Sequence, residues 1–392
     1  MGDLTAFEEK LFDSLKKLIG PEEFGRTKVL GAAVSGGADS VSLLCALAKI
    51  KEGLEGGSKK ELPEAGQKAK GRPFFPKIVC VTVDHSIRPE EESSGDAAFV
   101  KSLCQKLGVE CAVKKIERGA VERLAAQRGK GVEEAARFLR YQKFEGFAKE
   151  SGAQFICLAH NQNDALETLL MRFLQGSSAA YGIAARREKY LRPLLDFSRE
   201  QIEEYLRSQK IDWRTDATNS DNKYFRNKAR NLLIPFLDQN FEGWKKALLA
   251  GGEKALFEDC AVDAFLEDRL LAAGKSPDFF GEEDGEGLSF SAGLFKSLPV
   301  ALRQRLLYRA AGKLGLEERL PYSFVRTVSF WPEKDFKKTL AAGLEASSKK
   351  DKVFLKKIKK EATESGFFDI IVGKNDAESS YVLRSRAVGD EL

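Results

Sequence analysis

Val29 to Ile50, reading VLGAAVSGGADSVSLLCALAKI, restricts the fold of this chain more than any other segment. Val29, Leu30, Gly31, Ala32, Ala33 and Val34 form an unbroken run of small and apolar residues. Such a run predicts a strand buried on both faces of a parallel sheet. From Ser40 the period changes, and Val41, Leu44, Leu47 and Ala48 recur at the three-and-four spacing of one helix face. The joint is Ser35-Gly36-Gly37-Ala38-Asp39-Ser40. A strand feeding a helix through two glycines can aim successive backbone N–H groups at one anion, and the helix start adds roughly half a positive charge. Glycine lets the backbone come close. The joint therefore reads as a phosphate cradle, although a plain turn capped by Asp39 or Ser40 would use the same residue types. A Walker loop would end in Gly-Lys-Ser/Thr, whereas the first lysine after this joint is Lys49, so the pattern is not one that hydrolyses at a γ-phosphate.

The segments that follow repeat the alternation of strand and helix. A helix over residues 4 to 19, on Leu4, Phe7, Leu11, Leu15 and Leu18, precedes the first strand and stops at Gly20-Pro21. Residues 51–76, rich in Gly, Lys, Glu and Pro, read as a surface insertion on which no chemistry depends. Lys77 to Val83 is a second strand that delivers Asp84-His85-Ser86-Ile87-Arg88 at its carboxyl end. A helix from Ser94 to Leu107, a strand from Val109 to Ile116, a helix from Val132 to Lys149 and a strand from Gln154 to Ala159 follow, the last aimed at His160. This order predicts right-handed crossovers and an α/β, doubly wound parallel sheet with its site along the carboxyl ends of the strands. The loops Ser35–Ser40, Asp84–Arg88 and His160–Asp164 then converge, and they contain both histidines of the chain.

Two further stretches bear on the site. NDALETLLMRFLQG predicts a helix burying Leu166, Leu169, Leu170 and Phe173, with Asp164 and Glu167 near its start. These carboxylates suit a helix N-terminus, and Asp39 with Asp164 would also suffice for Mg²⁺, which takes one or two protein carboxylates and completes its shell with phosphate and water. Ser198-Arg199-Glu200-Gln201 is a capping box and reads as structural. Beyond it, Arg226 and Arg230 stand four apart on a predicted helix and can point together at phosphate or a nucleobase while Phe225, Leu232 and Leu233 pack.

Composition closes off other classes. No apolar run approaches the ~20 residues of a membrane span, and MGDLTAFEEKLF has no secretory character, so the expected compartment is the cytoplasm with no membrane partner. The six cysteines (Cys45, Cys80, Cys104, Cys111, Cys157, Cys260) include no Cys-x-x-Cys pair, which speaks against a zinc knuckle, an iron–sulfur site or a redox dithiol and reads as buried hydrophobes. A net charge of only +5 means that any nucleic-acid surface must be local. Lys349, Lys350, Lys352, Lys356, Lys357, Lys359 and Lys360 offer either a solvated face or a phosphate-backbone contact. Residues 241–330 read as helical on Trp244, Leu248 and Leu249 and on Leu298, Leu302, Leu306 and Leu307, with short strands expected at Val353–Leu355, Phe367–Val372 and Tyr381–Leu383.

SGGADS resembles the SGGxDS loop of the ATP pyrophosphatase (PP-loop) superfamily. Taken in order with VDHSIR, GVEEAARFLRY, AHNQNDALETLLMRFLQGS, LRPLL and TDATNSDNKYFRNKARNLLIP, it resembles the tRNA(Ile)-lysidine synthetase family over about residues 29 to 236. The resemblance implies a PP-loop adenylation domain over 1–240, a helical tRNA-binding domain over 241–330 and a short, incomplete β-containing domain over 331–392. It implies ATP, Mg²⁺, free L-lysine and a CAU-anticodon isoleucine tRNA, and a homodimer. O2 of the wobble cytidine would be adenylated and lysine would then displace AMP at C2. Ser35, Gly36, Gly37, Ala38, Asp39 and Ser40 would hold pyrophosphate and metal, with Asp164 the second metal carboxylate. His160, Asp164, Arg226 and Arg230 would lie at the reacting groups, and His85, Arg137 and Arg140 at nucleotide or tRNA. Glu133, Glu134 and Glu167 are all candidates for the carboxylate that receives the lysine ε-ammonium. Asn161 and Asn163 depart from the family pattern, standing where His and the first Asp of an Asp-Asp pair are usual. A tRNA thiolase of the same superfamily would want paired cysteines, and a non-catalytic tRNA- and ATP-binding relative is the alternative that the two asparagines raise.

Overall fold

The computed structural model describes residues 4–56, 75–84, 90–129, 131–176, 182–214, 225–275, 280–283, 287–316, 320–330, 336–340, 344–349 and 351–357. Contacts divide the chain into two compact units, Met1–Leu256 and Phe257–Leu392.

The first unit opens with α1 (Ala6–Ile19). Thr5 accepts from the Glu8 N–H while the Glu8 side chain accepts from the Thr5 N–H, so two otherwise unpaired donors are satisfied. A short α2 (Pro21–Arg26), not foreseen from periodicity, leads to β1 (Val29–Ala33) and α3 (Ala38–Gly56). Then come β2 (Lys77–Asp84), α4 (Glu90–Lys106), β3 (Glu110–Lys115), α5 (Ala120–Arg128), α6 (Val132–Ser151), β4 (Phe155–Cys157) and α7 (Gln162–Leu174). A hairpin of β5 (Arg186–Arg187) and β6 (Tyr190–Leu191) precedes α8 (Arg199–Ser208), α9 (Phe225–Lys228), a π-helical turn (Ala229–Leu233), α10 (Ile234–Asn240) and α11 (Trp244–Ala272).

The sheet order is β3-β2-β1-β4-β6-β5, parallel except for the last pairing. From β1 the chain winds outward through β2 and β3, then returns to the other side of β1 to place β4. The Ser35–Ser40 joint thus sits at the topological switch point, where open parallel sheets bind ligands. One face of the sheet buries Leu30, Ala32 and Cys80 with Leu11 and Leu15 of α1, Leu43 and Leu47 of α3 and Ile202 and Leu206 of α8. The other packs Val79, Val81 and Ile156 on Phe144 and Phe147 of α6. Burial from both sides is the physical reason that β1 reads as an unbroken apolar run. Gly31 lies against α6: a Cβ there would stand 3.1 Å from Phe147 and 3.3 Å from Ile156.

The second unit continues from Phe257 through the rest of α11 to β7 (Gly281–Glu283), β8 (Gly287–Ser291), α12 (Ala292–Ser297), α13 (Val300–Lys313), α14 (Tyr322–Ser329), β9 (Phe336–Leu340), β10 (Leu344–Lys349) and β11 (Lys352–Lys357). Its antiparallel sheet, β7-β8-β11-β10-β9, packs Val353, Leu355 and Leu344 on Leu302, Leu306, Phe324 and Val325. Strands β7 and β8 fall within the stretch read as helical. They are short, and β8 is held by pairing with β11, a contact between residues far apart in sequence. Of the lysine-rich run, Lys349, Lys352, Lys356 and Lys357 lie exposed on the β10–β11 hairpin with Val353 and Leu355 in the core, while Lys350, Lys359 and Lys360 lie outside the described residues. The strands expected at Phe367–Val372 and Tyr381–Leu383 lie outside the described residues. Among the described residues, no helix is long and apolar enough to cross a membrane.

Three residues expected in the core are outside it. Phe173 is 80% exposed, Phe225 42% and Leu232 58%. Periodicity marked a helix face as apolar without saying what covers it, and Phe225 and Leu232 instead line an open groove of about 430 Å³ with Leu174 and Phe236.

Candidate active site

The Ser35–Ser40 loop is closed by its own serines. The Ser35 N–H donates to Ser40 Oγ at 3.1 Å, and the Ser40 hydroxyl donates to the Gly37 carbonyl at 3.0 Å. Gly36 has φ of +91°, which L side chains rarely adopt, and this turns the chain from strand to helix. The Arg214 N–H donates to the Gly36 carbonyl at 2.9 Å, tying the segment after α8 to the loop. The first N–H groups of α3 have no intrahelical acceptors and face an anion by default.

Asp39, in the first turn of α3, has both carboxylate oxygens engaged. Asn161 donates to Oδ1 at 2.8 Å and Arg199 to Oδ2 at 2.7 Å. Burial nevertheless pushes the Asp39 carboxyl above the usual carboxylate range, partly offset by Arg199 and Asn161, with the nearby Asp164 charge adding to the rise. Its desolvation is not fully compensated by the partners it has. Asp164 lies in the first turn of α7, where it and Asn161 form a reciprocal capping box. Glu167 follows three residues later on the same helix face and is 1% exposed. Arg226 donates to Asp164 at 2.9 Å and to Glu167 at 2.7 Å, and Arg230 holds Glu167 at 2.6 and 3.0 Å. The two arginines thus converge as their spacing predicted, with the π-helical turn beginning between them; such turns recur at functional sites.

His160 stands at the other side of this cluster. Its Nδ1 and the Arg192 Nε are buried and have no hydrogen-bond partner among the described residues. Burial, followed by the charges of Arg192, Arg137, Arg140 and Arg226, pushes the imidazole down to about 3 from an ordinary 6.5. The ring is neutral at pH 7. Two orphaned polar atoms beside several guanidinium groups mark a place made for a polar or anionic ligand. Because the unfolded chain binds the His160 proton below pH 6.5 while the folded chain does not until about 3, stability is fully present above pH 6.5 and is lost as pH falls between those values. His160→Gln should therefore flatten the dependence of the urea midpoint on pH in that interval, and an unchanged slope would rule out the buried neutral ring.

Of the residues singled out by sequence, the structure gathers Ser35 to Ser40, Asp39, Asp164, His160, Arg226 and Arg230 at one end of the sheet, with Arg137 and Arg140 of α6 near His160. His85 lies outside the described residues. Sequence reasoning missed Arg199 and Arg192. Ser198 does cap α8, but Arg199, read as part of that structural box, reaches across to Asp39. Arg192 sat inside the LRPLL motif without a role of its own. The asparagines that depart from the family pattern have structural work: Asn161 joins Asp39 to α7, and Asn163 accepts from the Arg199 N–H at 3.3 Å.

A parallel α/β unit carrying this loop at its switch point is a PP-loop domain, and residues 7–237 match the PP-loop domain family ATP_bind_3. The tRNA(Ile)-lysidine synthase of Treponema denticola is 36% identical over 346 residues, covering 87% of this chain and 69% of that protein. The same enzyme of Treponema pallidum is 38% identical over 298 residues (74% and 57% of the two chains), and that of Thermus thermophilus 34% over 355 residues (90% and 60%). The chain belongs to the tRNA(Ile)-lysidine synthase family. It spans between 57% and 69% of the length of these relatives.

Proposed function

We propose that this chain ligates lysine to C2 of the wobble cytidine of a CAU-anticodon isoleucine tRNA in the cytoplasm, at the expense of ATP. The observation that carries the reading is the apposition, at one switch point, of a lysine-free phosphate loop with the Asp39, Asp164 and Glu167 carboxylates and the Arg226–Arg230 pair. Family membership supplies the substrate class.

The N–H groups after Ser35 and the Ser35 hydroxyl are disposed to hold the two departing phosphates, with Ser40 bracing the loop that presents them. O2 of the cytidine attacks the α-phosphorus and expels pyrophosphate, and the lysine ε-amine then attacks C2 and expels AMP. Activation is needed because oxide or hydroxide is a poor leaving group from the base whereas AMP is a competent one. Asp39 and Asp164 fit Mg²⁺: they are hard oxygen donors close together, and burial leaves Asp39 under-compensated. When bound, the ion would neutralise phosphate charge. Arg226 and Arg230 add fixed positive charge where the adenylyl group moves. Of the carboxylates considered for the ε-ammonium, Glu133 and Glu134 are exposed, whereas Glu167 is buried with both oxygens held by Arg226 and Arg230 and serves to aim those arginines.

Arg199 is ion-paired with Asp39 and would compete with an incoming cation. Arg199→Ala should tighten Mn²⁺ binding to the nucleotide-free chain about two- to fivefold, the scale of one partly exposed ion pair; weaker binding in the variant would show that Arg199 does not compete.

The deciding assay combines the chain with ATP, labelled lysine and the CAU-anticodon tRNA. Label entering tRNA together with pyrophosphate release supports the ligase. A tRNA gel shift with neither label nor pyrophosphate release would instead identify a binding protein that does no chemistry.

A further inference from the structure

Three cysteines that look unrelated in sequence meet inside the first unit. Cys80 and Cys111 are register partners on the adjacent parallel strands β2 and β3, so their side chains leave the sheet on the same face. Cys104, on the last turns of α4, comes down on them, and the three Sγ atoms all lie within 4.8 Å of one another. Cys80 and Cys104 are 0% and 1% exposed, while Cys111 is half-buried on the edge strand. Leu103, Leu107 and Val109 pack into the same cluster, and the Lys101 charge acts on Cys111. Cys80 precedes the end of β2 by four residues, roughly 13 Å of strand, so the trio is set back from the phosphate loop and does not serve it as a sulfur donor.

We propose that Cys80, Cys104 and Cys111 form a three-thiol site for a trivalent arsenical or antimonial oxyacid, arsenous acid being the simplest. Three thiolates on a centre with bonds of about 2.3 Å stand about 4 Å apart or slightly closer, a separation that sulfurs within 4.8 Å of one another can reach by small side-chain adjustments. Soft sulfur selects a thiophilic centre. Ligand number and charge then decide which. Zn²⁺ wants a fourth ligand that the trio does not supply, and Cu⁺ with three thiolates leaves two negative charges against the one Lys101 charge that acts on Cys111. Cys45 of α3 shares this core but is not part of the triangle. Trivalent arsenic needs three sulfurs only and gives a neutral product. Three S–H and three As–O bonds become three As–S bonds and three water molecules, and no electrons are exchanged. Arsenous acid is uncharged at neutral pH and reaches the trio past half-buried Cys111. The site lies behind the nucleotide loop: Cys104 is one turn along α4 from Val100, which with Phe99 stands against Gly36.

The test uses the full chain, reduced with a phosphine and kept without other thiols. Sodium arsenite should add one arsenic per chain with loss of three hydrogens by native mass spectrometry, and X-ray absorption should show three sulfur neighbours. Cys111→Ala, at the half-buried position that tolerates change best, should weaken uptake at least about tenfold, since one of three bonds of a preformed chelate is gone. Cys260→Ala and Cys45→Ala should leave uptake unchanged. Overturning results are no arsenic bound to the reduced chain, uptake that survives Cys111→Ala, oxygen among the arsenic neighbours, or Zn²⁺ displacing arsenite from the wild-type chain at equal concentration.

Discussion

Asp39→Ala is expected to lower ATP–pyrophosphate exchange by about 10²- to 10³-fold or more, the scale for removing one preorganised charged contact at a transferring group, while tRNA affinity changes by no more than a few fold. The asymmetry follows from position. Asp39 is held at the start of α3 beside the phosphate loop, and its contacts are Asn161 and Arg199 rather than a surface that a tRNA would cover. Asp39→Asn keeps the shape and a hydrogen-bond acceptor but not the charge, so it should fail nearly as badly if the carboxylate serves a cation. Normal turnover in either variant would refute the role. An equal loss of tRNA binding would assign Asp39 to architecture instead.

Glu167→Gln is expected to destabilise the first unit by about 3 kcal/mol, the lower end for breaking a buried ion pair, because the carboxylate is buried while its two arginines are partly exposed. Arg226 also holds Asp164, whereas Arg230 engages both oxygens of Glu167. The effect should therefore be non-additive with both Arg226→Met and Arg230→Met, and more strongly with the latter, since both arginines contact Glu167. Urea unfolding of the single and double variants measures this. Additivity at both positions would show that Glu167 does not join the arginines energetically. Exchange activity should fall with Glu167→Gln as well, since Arg226 and Arg230 lose the group that aims them.

Most of the first unit was legible because its signals are local. The all-apolar β1, the helical period from Ser40 and the two glycines between them belong to residues that are neighbours in the chain, and two-sided burial writes itself directly into composition. The capping box at Ser198 is likewise complete within four residues. What failed was non-local. Phe173 obeys its helix period yet faces solvent, because period assigns a face and not a neighbour. β7 and β8 are too short to carry a period and exist through pairing, β8 with β11.

The same division holds at the site. The chain order alone determined that a phosphate loop, two acidic positions and two arginines would be present, and which end of a parallel sheet would carry them. Only the folded chain decided who touches whom. Arg199 reaches Asp39 across 160 positions, Arg192 buries its Nε near His160 without a partner among the described residues, and three cysteines without a recognisable spacing share one triangle. Those outcomes depend on distances between elements that are set by packing the helices onto a twisted sheet, a property of the whole unit that no short window of residues encodes.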